Sequence, residues 1–311
     1  MEAFIDARRP SGYALFCGPD LILPPSWEEG RPGLPVFGEL PLAPDGAEAA
    51  APAGGTPAGA APAAGTLAAD AAAALAANAT TVAIAHGALF HAEGRHYVAV
   101  EVDEGAVAGI TGARRLPTRQ YIGAADEACA AFALKAAAYA HWAYGARRCS
   151  FCGAHLVPGH GRDDEGARVC PSCGRAYFPR ISPAVIVLVS RGDEMLLAHN
   201  AKFPSGRHGL IAGFVEPGET LEETVRREVM EEAGIEIGEP RYLRSQPWPF
   251  PDSLMLAFEA DYRSGEARPD GAEIDSLGWF SPDALPDIPP KGSVARSLIE
   301  RFIAARKPVR S

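Results

Sequence analysis

"GFVEPGETLEETVRREVMEEAGI", residues 213–235, decides how the C-terminal half is read, because it sets seven glutamates within a few helical turns. Thr220 followed three residues later by Glu223 is a capping box, in which each side chain takes up a backbone N–H of the other residue. Gly234 suits the position just past a helix C-terminus, where the backbone turns left-handed. The spacing predicts a helix over about Leu221–Ala233. Leu221, Val225 and Val229 recur at i, i+4 and i+8 as one apolar stripe, and Glu228, Glu231 and Glu232 bring three carboxylates to an adjacent face. Like charges so placed cost about 0.2–0.5 kcal/mol per pair, and acids near a helix C-terminus also oppose the macrodipole. A solvated face accounts for Glu222 and Glu223, but not for the convergence of the other three. Arg227, four residues before Glu231, is close enough to orient them with a forked, permanently charged group.

The chain has 311 residues, 47% of them hydrophobic, enough for a full core and about two domains. A formal charge of -10 argues against a protein whose main business is gripping a nucleic-acid backbone. It does not exclude an enzyme that handles anions through bound cations. The N-terminus lacks a basic start followed by an apolar stretch, and no later apolar run could cross a bilayer, so a soluble cytoplasmic chain with no membrane partner is expected.

Four of the six cysteines fall in paired CxxC spacing: Cys149 and Cys152, then Cys170 and Cys173. Two such knuckles can close a tetrahedron of sulfur around one structural Zn²⁺ per chain, a site with no open position for chemistry. His155 and His160 lie between the knuckles, but four thiolates already fill the shell. Cys17 and Cys129 stand outside the pattern and read as buried free thiols.

Residues 1–42 are Pro-rich with short apolar runs, read as strands and turns. About 43–78 the composition collapses to Ala, Gly and Pro, read as a flexible insertion, with 66–79 a candidate short Ala helix. Strands are expected at 80–90 and 96–102, then one long helix over 124–148. After Pro179 the pattern is α/β. Buried strands are expected at 184–190 and 194–199 across an "RGD" turn, with further strands near 242–246, 253–262 and 276–280. A closing helix over 294–306 carries Val294, Leu298, Ile299, Phe302 and Ile303 at helical spacing.

The spacing from Gly213 through Glu219 to Arg227-Glu228-Val229-Met230-Glu231-Glu232-Ala233-Gly234-Ile235 resembles the complete Nudix box, GX5EX7REUXEEXGU, at every defined position. The chemistry agrees with the resemblance: hard divalent cations need several oxygen ligands, and converging carboxylates supply them. A Nudix box implies hydrolysis of a nucleoside diphosphate linked to some other group.

Downstream, "SQPWPFPDSLM" over 245–255 holds Trp248 and Phe250 in what reads as a Pro-stiffened loop able to present aromatic faces to a base. It resembles the SQPWPFPxS signature of the NADH pyrophosphatase branch of the Nudix hydrolases. The resemblance covers about 147–305 closely and the N-terminal part in outline, and the Ala/Pro-rich insertion departs from it. It implies an α+β chain: an N-terminal α+β domain over 1–146, a four-cysteine zinc ribbon over 147–178, and a Nudix α/β/α sandwich with a mixed sheet over 179–308.

It further implies catalytic roles for Arg227, Glu228, Glu231 and Glu232. More than one Mg²⁺ or Mn²⁺ per site would be held by Glu228, Glu232, Glu273, the carbonyl of Ala212 and help from Glu231. Implied substrate contacts are Glu165, Phe178, Phe214, Gln246, Pro247, Trp248, Pro249, Phe250, Pro251, Asp252, Ser253 and Ala295. At Phe178 the family often has tyrosine, so a hydroxyl contact is lost and stacking remains. The implied substrates are NADH and NAD, with NAD-capped RNA as a second, and the implied assembly is a homodimer. An ADP-ribose-type substrate is the alternative.

Overall fold

The computed structural model describes residues 13–17, 19–24, 88–92, 95–101, 104, 107, 112, 114–159 and 167–306. The chain divides into two units, Met1–Tyr121 with Ala125–Pro179, and Ile122–Ala124 with Arg180–Ser311. The candidate insertion over 43–78, the candidate Ala helix and Glu165 lie outside the described residues.

In the first unit, β1 (Tyr13–Cys17), β2 (Asp20–Leu23), β3 (Ala88–Ala92), β4 (Arg95–Glu101) and β5 (Arg114–Pro117) form a sheet in the order β3-β4-β1-β2-β5. β1 and β4 run parallel and the other neighbours antiparallel. The helix expected over 124–148 is α2 (Glu127–Gly145), and a separate helix, α1 (Thr118–Ala124), ends just ahead of it. The break has a local cause: Asp126 is an N-cap whose carboxylate accepts the Cys129 N–H at 2.8 Å, so a new helix starts there. Ala133, Ala136, Ala137, Ala140 and Ala143 of α2 are fully buried, and α2 lies against β1, β3 and β4. Cys17 and Cys129 are both buried, as expected. Three short antiparallel strands follow, β6 (Val157–Pro158), β7 (Arg168–Val169) and β8 (Ala176–Tyr177).

The second unit is built on β9 (Ser182–Arg191), an apolar run hydrogen-bonded on both edges. Its side chains alternate as the pleat requires. Val185, Val187 and Val189 join a core with Val225, Val229 and Ala233, whereas Ile186 and Leu188 join another with Val294, Leu298, Ile299 and Phe302. The first set of partners belongs to α3 (Leu221–Ala233) and the second to α4 (Val294–Arg306), so the sheet lies between two helices. Burying each valine side chain of α3 contributes roughly 1.5–3 kcal/mol.

The remaining strands are β10 (Glu194–Asn200), β11 (Ile211–Phe214), β12 (Glu236–Ile237), β13 (Arg241–Trp248), β14 (Ser253–Ser264) and β15 (Ile274–Phe280). The path is β12-β14-β9-β10-β15, with β11 on β9 and β13 on β14. β9 and β14 are parallel and every other pair is antiparallel, which makes the sheet mixed. The architecture is thus the α/β/α sandwich expected for this half.

One expectation needs correction. The stretch over 245–255 is a hairpin rather than a loop: β13 runs through Trp248 and β14 begins at Ser253, with Pro247 opposite Leu254. Proline is compatible with this strand because among the described residues β13 pairs on one edge only, with β14, and needs no donor on the other.

Candidate metal centre and substrate surface

α3 forms as its spacing dictates. Thr220 and Glu223 exchange capping-box hydrogen bonds, and Gly234 ends the helix at φ +68°. On it Arg227 spends all five of its donors. Nε donates to Glu219 Oε1 at 2.5 Å, and Nη2 to Glu219 Oε2 and the Phe214 carbonyl at 2.9 Å each. Nη1 donates to Glu228 Oε1 at 2.8 Å and Glu231 Oε2 at 3.0 Å. Glu219 is equally committed, since its Oε2 also accepts the Thr224 hydroxyl at 2.9 Å and the Glu216 N–H at 3.0 Å. These bonds, the Arg227 guanidinium first among them, lower the Glu219 carboxyl to about 2. Glu219 therefore anchors the arginine, a structural part that spacing alone did not reveal.

Glu228 and Glu232, one turn apart, are both buried, while Glu231 is exposed. Burial pushes the Glu228 carboxyl upward, against the pull of Arg227. Glu232 is pushed up to about 8, by burial first and then by the charges of Glu228, Glu273, Asp270 and Glu231. Two buried acids facing further acids, with one guanidinium already shared out, form an oxygen-rich anionic site that suits a hard divalent cation. Glu273 sits at the entrance to β15, and its carbonyl accepts the Ala201 N–H at 3.0 Å. Ala212, on β11, packs against the α4-side core. Asp270, which sequence reasoning passed over, accepts the N–H groups of Ala272, Glu273 and Ile274. The only available signal was an acid three residues ahead of Glu273.

The first box glycine has a steric reason. A Cβ on Gly213 would lie 1.9 Å from Glu228 Oε1, so any side chain there would drive the carboxylate away.

In the first unit, the ligand atoms of Cys149, Cys152, Cys170 and Cys173 all lie within 4.8 Å of one another. The closest sulfurs are 3.6 Å apart for Cys149 and Cys173 and 3.4 Å for Cys152 and Cys170. A tetrahedron with Zn–S bonds of about 2.3 Å puts sulfurs about 3.8 Å apart, so the set fits a zinc ion. Each knuckle closes in the same way: Gly153 N–H bonds the Cys149 carbonyl and Gly174 N–H the Cys170 carbonyl, both at 2.9 Å, with both glycines at positive φ. The Tyr177 hydroxyl stands 3.1 Å from Cys149 Sγ.

The residues expected to touch substrate fall in several places. Phe214 follows Gly213 on β11 and is 55% exposed, open for stacking. Trp248 and Phe250 meet edge to face with centroids 5.1 Å apart, so each steadies the other at the hairpin end. Pro249 and Pro251 flank Phe250 in the same turn, where Asp252 pairs with Arg180 at 2.7 Å and Ser253 is buried. Gln246 uses both ends of its amide within the chain: Nε2 donates to the Gly292 carbonyl at 2.8 Å and Oε1 accepts the Val294 N–H at 2.7 Å. It thereby ties β13 to the start of α4, beside half-buried Ala295. Phe178, exposed, belongs to the first unit.

A sandwich that sets a cluster of acids on one helix, beside an exposed aromatic strand end, suits a metal-dependent hydrolase. A family model described as the NUDIX domain matches residues 180–302. The chain is 42% identical over 223 residues to the NAD-capped RNA hydrolase NudC of Stutzerimonas stutzeri (strain A1501), covering 72% of this chain and 79% of that protein. The protein of the same name from Chromobacterium violaceum is 54% identical over 149 residues, 48% of this chain and 56% of that one. Among solved structures, a Nudix hydrolase from Nitrosomonas europaea matches with 25% identity and a TM-score of 0.44, covering 51% of this chain and 92% of that one. The chain belongs to the Nudix hydrolase family.

Proposed function

We propose that this enzyme hydrolyses the pyrophosphate bond of NADH and NAD, giving reduced nicotinamide mononucleotide, or its oxidised form, plus AMP. The same bond at the 5′ end of NAD-capped RNA is its second substrate. The observation that carries the reading is the buried pair Glu228 and Glu232, the first braced by Arg227 and the two together short of positive charge. The name carried by relatives at 42–54% identity supports the dinucleotide as substrate.

Glu228, Glu232 and Glu273, with the Ala212 carbonyl and Glu231, would hold more than one Mg²⁺ or Mn²⁺. When bound, these ions neutralise the pyrophosphate and lower the pKa of water. The chain's own residues do the rest. Arg227 fixes the carboxylates without taking part itself, since all its donors are engaged. A box glutamate orients the attacking water or takes its proton; as the new O–P bond forms, the bond from that phosphorus to the bridging oxygen breaks, and the bridging oxygen leaves on the other mononucleotide. Phe214, Trp248 and Phe250 bind the ring systems, and Gln246, Pro247, Pro249, Pro251, Asp252, Ser253 and Ala295 complete the substrate surface of the second unit.

The proposal includes one structural Zn²⁺ on the four cysteines, a division into 1–146, 147–178 and 179–308, a homodimer, and a cytoplasmic location. Among the described residues no helix is long and apolar enough to cross a membrane. A substrate panel tests the reading: NADH, NAD, ADP-ribose and a 5′-NAD RNA, each with Mg²⁺ and with Mn²⁺. The dinucleotides and the capped RNA should be cut, and a clear preference for ADP-ribose would assign the site to another diphosphate.

A further inference from the structure

The turn that delivers Glu273 to the site is organised by one side chain. Asp270 Oδ1 accepts the N–H groups of Ala272 and Glu273 at 3.2 Å each and of Ile274 at 2.8 Å, and Oδ2 accepts the Glu273 N–H at 3.2 Å. Gly271, at φ +73°, lets the chain double back so that its N–H reaches the Ile274 carbonyl at 3.1 Å. Beyond the turn, Ile274 enters β15 opposite Asn200, and the Glu273 carbonyl accepts the Ala201 N–H. The peptide groups on both sides of the Glu273 Cα are thus held, one by a carboxylate and one by the sheet edge. Nothing else among the described residues is shown bonding the Glu273 N–H.

We infer that Asp270 is a positioning residue for the metal site, acting through Glu273: its carboxylate sets the backbone from which the Glu273 side chain reaches the cations. The inference rests on the proposed metal role of Glu273. The charge of Asp270 is also felt at Glu232, but the task inferred here is set by acceptor geometry, because what the three N–H groups need is a carboxylate-shaped acceptor. Outer groups that orient a metal ligand typically change affinity by roughly 10- to 100-fold when removed.

The test is Mn²⁺ affinity, read from the electron paramagnetic resonance of free Mn²⁺, for the full chain and for Asp270→Ala, Asp270→Asn, Glu273→Gln and Asp270→Ala with Glu273→Gln. Asp270→Ala should bind roughly 10- to 100-fold more weakly. Asp270→Asn, whose remaining Oδ1 can keep three of the four contacts while the charge is lost, should bind much closer to the parent than Asp270→Ala does. In the Glu273→Gln background, removing the Asp270 carboxylate should cost only a small fraction of what it costs in the parent, the part due to its charge alone. Unchanged affinity in folded Asp270→Ala, a loss in Asp270→Asn as large as that in Asp270→Ala, or an equally large added loss in the double variant would each overturn the inference. Unchanged affinity in Glu273→Gln itself would instead defeat the metal role of Glu273.

Discussion

Glu228 occupies the space that a side chain on Gly213 would need, with Oε1 1.9 Å from where a Cβ would stand. Two strictly spaced residues of one motif are therefore a single packing unit, joined across β11 and α3. Gly213→Ala should leave the sandwich folded but displace the carboxylate. A shift of about 1 Å at a reacting centre costs about 100-fold in rate. The check is kcat/KM together with circular dichroism, and a folded, fully active Gly213→Ala protein would contradict this reading.

Arg227→Lys keeps the charge and loses the fork. One ammonium cannot reach Glu219, Glu228, Glu231 and the Phe214 carbonyl together. Activity should fall about 100-fold as the carboxylates lose their brace, and thermal melting should show lower stability as well. Rescue by Lys to near-parent activity would reduce Arg227 to a point charge.

The pH dependence of stability has two opposing parts. Glu232 titrates at about 8 in the folded chain against an ordinary 4.5, so the folded state holds the extra proton between those values. Stability of the metal-free protein should therefore fall as pH rises through that window. Glu219, lowered to about 2, works in the other sense: its contribution is present above 4.5 and is lost as pH falls toward 2. Melting temperature with chelator should drop between pH 6 and pH 8.5, and Glu232→Gln should flatten that slope. A melting temperature rising over that interval would contradict the burial of Glu232.

The fold of the C-terminal half was largely legible because its signals are local. The Thr220 and Glu223 capping box, the stripe of Val225 and Val229, and the continuous apolar run of β9 each show in a window of a few residues. What stayed hidden depends on contacts made across the chain. The purpose of Gly213 is set by a residue fifteen positions away, and the commitment of Gln246 by Gly292 and Val294. The hairpin at Pro247 was masked because prolines signal a loop unless one knows that the strand has a free edge. The start of α2 was blurred for a similar reason: the alanines before Asp126 favour helix, and only the cap bond to Cys129 decides the boundary.

Cys149→Ser should lower both zinc content and melting temperature, because the four sulfurs are already gathered within 4.8 Å and losing one removes folding free energy. Added Mg²⁺ should not restore it. Elemental analysis of reduced, dialysed parent protein should find about one zinc per chain, and finding none would remove the metal from the ribbon.

The most direct test of the central claim follows NADH by ³¹P NMR in ¹⁸O-labelled water with Mg²⁺, comparing the parent with Glu232→Gln. The pyrophosphate resonances should give way to two phosphomonoester signals, one of them carrying ¹⁸O, and Glu232→Gln should slow this by orders of magnitude while remaining folded. Pyrophosphate resonances that persist while nicotinamide is released, or a folded Glu232→Gln protein as active as the parent, would contradict the assignment of this site to metal-assisted pyrophosphate hydrolysis.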